Sequence, residues 1–187
     1  MDIDIGQRNR TRRRLLLAAL GIAIAPLAPA ADFPEISWDD LIPKNWDPMK
    51  SFQDLQSLST LPDSDVRVQQ LYIRMREVWD NAPTVPTLAG RAVTLPGYLV
   101  PLETGRDGIR EFLLVPYFGA CIHVPPPPAN QIVHVRSSSP VKGFRTMDAV
   151  WVSGKLGVGR VDSSMGISGY SMTASKVIKY TPKERKP

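Results

Sequence analysis

Apolar residues recur along this chain with two different periods. Val68, Leu71, Tyr72, Met75, Val78 and Trp79 fall at i, i+3, i+4, i+7, i+10 and i+11, a spacing that stacks them on one face of a helix. The pattern predicts a helix over residues 65–81. Asp63 or Ser64 would cap its start, Pro83 would bar its continuation, and Leu71, Met75 and Trp79 would pack it onto the rest of the domain. From Gly90 onward the period falls to two. Residues 91–102, 109–118, 131–137, 149–156 and 169–180 read as five strands separated by glycine, proline or polar turns, with 103–108 as a hairpin connection.

Five short strands after one N-terminal helix predict a mainly β fold. The expected architecture is a small five-stranded antiparallel barrel, like that of the oligonucleotide/oligosaccharide-binding (OB) fold, with a two-sheet β-sandwich as the alternative. Pro96-Gly97 and Gly154 suit bends or bulges in such a barrel. GKLGVGRVDSSMG (residues 154–166) follows no phosphate-binding pattern and reads as a flexible loop, as does the run Ser137 to Ser139. Upstream, residues 33–48 mix aromatics, acids and prolines and read as a helical turn and an extended arm, with Trp38 and Trp46 as packing anchors. The resulting divisions are a leader over 1–30, an arm over 31–64, the helix over 65–82, the barrel over 90–181 and a basic tail over 182–187.

The leader changes how the charge is read. Arg8 to Arg14 form a cationic patch, Leu15 to Ala25 an apolar run, and Ala28, Pro29 and Ala30 a small-residue site that predicts cleavage before Ala31. The apolar run is shorter than the roughly 20 residues of a membrane span, so no stable span is expected after processing. TRRRLL also fits a twin-arginine signal as an alternative to the ordinary secretory route. The full chain has 23 basic and 18 acidic residues; the leader holds five arginines and two aspartates, leaving 18 and 16. The excess of positive charge therefore belongs mostly to the leader, which removes the main argument for a nucleic-acid partner. The expected compartment is the periplasm.

Candidate chemistry concentrates in CIHVPPPPANQIVH, from Cys121 to His134, which holds the only cysteine and both histidines. A single cysteine forms no internal disulfide, so in an oxidising compartment Cys121 is buried, metal-bound or reactive. On an extended strand Cys121 and His123 point to the same side. The prolines Pro125 to Pro128 make a stiff return, and His134 in the next strand could come alongside. One thiolate and two imidazoles suit zinc or another soft transition metal, with Glu103, Asp148 or water in a fourth position. The bland reading is that Cys121 is core and each histidine satisfies a backbone group. An enzyme is not expected: residues two apart on a strand give a poor nucleophile and base pair, and no orienting acid is evident. A third reading is an interaction module, in which Tyr98, Tyr117, Phe118 and Trp151 with the proline run form a rigid aromatic surface and Asn130 and Gln131 add hydrogen bonds.

GRAVTLPGYLVPLE, EFLLVPYFGACIHVPPPPANQIV and VWVSGKL, within Gly90 to Tyr180, resemble the signature of an exported bacterial family known only as a domain of unknown function. Some members of that family are associated with ABC-transporter components of zinc-responsive uptake systems. The resemblance implies metal handling outside the inner membrane and ABC-transporter partners, and supplies no catalytic residues.

Overall fold

The computed structural model describes residues 33–53, 55–120 and 126–181. The expected leader, the cleavage site, Cys121, His123, Pro125 and the basic tail lie outside them.

The period-two region forms β1 (Ala92–Pro101), β2 (Ile109–Val115), β3 (Val133–Val141), β4 (Ala149–Ser163) and β5 (Gly166–Lys179). These make one sheet closed on itself in the order β1-β2-β3-β5-β4, not two facing sheets. The expectation of a wholly antiparallel arrangement is corrected: β3 and β5 run parallel from Val133↔Tyr170 to Ser137↔Ala174, while the other four pairings are antiparallel. Parity requires this. Strand directions cannot alternate all the way round an odd-membered ring, so five strands close only with at least one parallel junction.

Alternation fills the ring. Val93, Leu95, Leu99, Phe112, Leu114, Val133, Val135, Val150, Val152 and Tyr170 belong to the main core. On the outer face of β2, Leu113 and Val115 join Val100, Ala120, Ile132 and Met147 in a second core. Hence Phe112 to Val115 are all fully buried, where a strand with one wet face would alternate.

The glycine-rich segment is not a loop. β4 runs to Ser163 and pairs with β5 down to Ser163↔Gly166, so Ser164 and Met165 form the turn, and the Ser163 hydroxyl donates to the Gly166 carbonyl at 2.7 Å. Its glycines obscure the alternation because they serve close packing: a Cβ on Gly154 would collide with the Thr173 carbonyl oxygen of β5. Likewise Ser137 to Ser139 lie within β3, at an irregularity where pairing with β2 jumps from Glu111↔Arg136 to Ile109↔Val141.

The arm is pinned to the ring by a Glu35↔Thr94 bridge, by Trp38 Nε1 donating to the Pro96 carbonyl at 2.7 Å, and by Leu41, fully buried in the main core. Trp46 is half-buried. Short 3-10 turns Asp39–Leu41 and Pro48–Ser51 and a single α-turn, α1 (Leu55–Leu58), lead to α2 (Val66–Asp80). The cap of α2 is Asp65, one or two residues past the expected Asp63 or Ser64. Its carboxylate accepts from the Arg67 N–H and pairs with the Arg67 guanidinium at 2.8 Å, which holds its pKa down at about 2. Asp63 instead accepts a hydrogen bond from the Tyr72 hydroxyl. Asn81 ends the helix through its side-chain amide, which donates to the Glu77 carbonyl.

The expected packing of α2 also needs correction. Val68 and Leu71 are buried, and the helix rests on α1 and the Pro48–Ser51 turn. Met75 and Trp79 are only half-buried and Tyr72 is 49% exposed, so the C-terminal half of the stripe does not sink into the ring core.

Candidate functional site

Of the three proposed metal ligands, His134 falls in the described residues. β3 places it on the outer face opposite Leu113, with its side chain 5% exposed, and its Nε2 lies 2.7 Å from Glu111 Oε1. Glu111 is directly opposite Arg136 in the register, and the Arg136 guanidinium reaches the same oxygen at 3.3 Å. One carboxylate is therefore shared by a buried imidazole and an exposed guanidinium. The carboxylate thus lies against the imidazole edge, and carboxylates are common neighbours of metal-binding histidines. Sequence reasoning missed Glu111; its outward position, diagonal to His134 on neighbouring antiparallel strands, was the available signal.

The other supporting residues have different places. Asp148 accepts from the Arg145 N–H at 2.9 Å, and Glu103 is exposed after β1. Asn130 is fully buried and donates to the Pro83 carbonyl at 2.9 Å; Gln131 donates to the carbonyls of Trp38 and Asn130, each at 3.0 Å. Those amides tie residues 126–131 to the arm and to the chain after α2, a positioning role. The expected aromatic surface divides in two, with Tyr98 edge-on to Phe118 at 5.9 Å and Trp151 stacked on Tyr180 at 5.2 Å; Tyr117 is 45% exposed. Among the described residues, no three His, Cys, Asp or Glu side chains form a group able to hold a metal.

A larger feature lies where α2 stands away from the ring. Tyr72, Met75 and Trp79 face Pro126, Met165 and Ile167 across an open cleft of about 720 Å³, bordered by Arg76 and Asp80 and by Ser163 and Ser164. Its walls are mainly apolar. Arg76 has no ion-pair partner among the described residues, so a cation stands beside aromatic and thioether surface. The helical periodicity identified the stripe, yet periodicity cannot tell a core face from a face that lines an opening.

A family model described as "Protein of unknown function (DUF3299)" matches residues 38–179, spanning most of the arm, α2 and the whole ring. The chain belongs to the DUF3299 family. A crystal structure of a DUF3299 family protein from Pseudomonas aeruginosa PAO1 is 38% identical, with a TM-score of 0.62 over 82% of this chain and 99% of that one. No curated protein matches. The DUF3299 match thus takes in both the Glu111–His134 pair and the cleft. No helix among the described residues is long and apolar enough to cross a membrane.

Proposed function

We propose that this DUF3299 protein is an exported, non-catalytic interaction module of the periplasm, built on an OB-like barrel, that holds an apolar, anion-bearing part of an envelope or transporter component in the cleft beside α2. The strand order, with β3 parallel to β5 in a closed ring of five, supports the OB likeness, and barrels of that type bind ligands with the loop between strands 4 and 5. Here that turn, Ser163 to Gly166, forms one wall of the cleft.

The carrying observation is the apolar stripe of α2 left half out of the core at Tyr72, Met75 and Trp79 beside Arg76, which has no ion-pair partner among the described residues. Covering such surface returns about 25 cal/mol per Å², and the guanidinium selects an acceptor-rich anionic group. The test uses 8-anilinonaphthalene-1-sulfonate, an aromatic anion. It should bind saturably, and Trp79→Ala and Arg76→Glu should each weaken it by about tenfold, the equivalent of about 1.4 kcal/mol. Binding that is unchanged in both variants would remove the cleft as the site.

A second reading, zinc binding for an ABC-type uptake system, is favoured by the Glu111–His134 pair, since a carboxylate lies 2.7 Å from the imidazole, where metal-binding histidines commonly have one. His134 Nδ1 would be a ligand together with Cys121 and His123, and the metal would tie the 121–123 segment to β3. Calorimetry on the reduced, mature protein should show saturable zinc binding at neutral pH. Alanine at Cys121, His123 or His134 should weaken it strongly, and Glu111→Gln by about 10- to 100-fold. Acidification through the histidine range should release the metal, because protons compete for the imidazoles and the thiolate. A flat titration of the unaltered protein would end this reading and leave the cleft untouched.

A further inference from the structure

The parallel junction that closes the ring is only partly zipped. β3 and β5 pair from Val133↔Tyr170 as far as Ser137↔Ala174. Beyond that point β3 runs on to Val141 and β5 to Lys179 without pairing to each other. β5 remains held on its other side by β4, up to Lys179↔Val150. β3 at 137–140 is also unpaired with β2, since this is where the β2–β3 register jumps. Among the described residues, one edge of β5 beyond Ala174 therefore has no neighbouring strand, and a groove of about 320 Å³ occupies the gap.

The walls of that groove have a consistent chemistry. Ser138, Ser139 and Ser175 are exposed hydroxyls, and Lys142 and Lys176 are exposed cations with no ion-pair partner among the described residues. No carboxylate lines it. Its floor is the margin of the main core, where Phe144 and Val177 are half-buried. An open strand edge offers a ladder of backbone donors and acceptors, and peptides that add to such an edge take affinity from the ladder and specificity from alternate side chains. Two unpaired ammoniums with no competing acid favour glutamate or aspartate at those alternate positions.

We propose that the gap between β3 and β5 is a strand-addition site for an acidic, extended peptide. The peptide backbone pairs with β5 beyond Ala174, its carboxylates meet Lys142 and Lys176, and its intervening apolar side chains cover Phe144 and Val177. This site is separate from the α2 cleft and from the Glu111–His134 pair.

The probe is a rhodamine-labelled heptapeptide, acetyl-Thr-Glu-Val-Glu-Val-Glu-Thr-amide, titrated with the full mature protein and followed by fluorescence anisotropy. It should bind saturably. The double variant Lys142→Glu, Lys176→Glu should weaken it by about tenfold or more, and Arg76→Glu in the separate cleft should leave it unchanged. The same peptide with every backbone nitrogen methylated should not bind, because it cannot form the ladder. Three results would each overturn the proposal: no saturable binding of the acidic probe, equal binding of the methylated probe or of one with lysine in place of glutamate, or loss of binding in Arg76→Glu. The methylated probe needs no protein variant, so its result stands even if the charge reversal disturbs the strand.

Discussion

Tyr170→Phe should lower the unfolding free energy by about 2–4 kcal/mol, measured by urea denaturation followed by tryptophan fluorescence. The whole Tyr170 residue is buried, and its hydroxyl serves two backbone groups from distant parts of the chain: it accepts from the Val85 N–H at 2.6 Å and donates to the Leu41 carbonyl at 2.8 Å. Removing one oxygen leaves both without that partner, and a buried unsatisfied group costs about 1–3 kcal/mol. The pH dependence provides an independent check. Burial raises the phenol's pKa above its usual 10, so the folded state favours the protonated form. That contribution is fully present below pH 10 and is lost as pH rises through the folded-state pKa. The phenylalanine variant should lack this alkaline loss, and an unchanged alkaline profile together with unchanged urea stability would show that the hydroxyl does not bind the arm to the ring.

Gly154→Val should be at least as damaging, by about 3 kcal/mol or more, read in the same denaturation experiment. At this position β4 and β5 approach so closely that a Cβ would meet the Thr173 carbonyl oxygen and lie 2.8 Å from the Ala174 Cα. These are backbone atoms and cannot rotate away, so the strain of overpacking, ordinarily about 1–3 kcal/mol, falls at its upper end or beyond. Gly105→Ala is the control. Its nearest neighbour would be the Gly108 carbonyl oxygen at 3.5 Å, an ordinary contact, and stability should change by no more than about 0.5 kcal/mol. Equal losses at both glycines would point to a general effect of losing glycine and not to the β4–β5 contact.

Much of the ring was legible because half-buried strands write an alternating pattern. The alternation in β1 put Val93, Leu95 and Leu99 in the core, and the expected five strands are the five observed. The errors have physical sources. The 154–166 segment contains glycines that break the alternation, yet those glycines are what let β4 lie against β5. The direction of β5 relative to β3 is a property of ring closure, which no local pattern encodes, although parity alone would have required a parallel junction. On α2 the period identified the apolar face, but it could not show that Met75 and Trp79 line the cleft opposite Met165 and Ile167 and so stay half-buried. At the candidate metal site, residue type selected His134, whereas Glu111 became visible only through cross-strand register.

The order in which the strands join also bears on how the chain reaches this structure. The β4–β5 hairpin is local and closes through a two-residue turn, while the junction of β1 with β4 brings together residues such as Thr94 and Ser153, whose hydroxyls lie 2.8 Å apart across a sequence separation of 59. Closing a flexible loop of that length costs roughly 3–4 kcal/mol of chain entropy from its length dependence alone, before the pairing it permits returns anything. Tyr170 then meets Leu41 across a separation of 129. Non-local pairing of this kind slows folding relative to helical proteins of similar stability. For a chain read as bound for export, the interval before closure is when the apolar interiors of β1, β2 and β3 stay uncovered, and the choice between export unfolded and export already folded determines which compartment must shelter them.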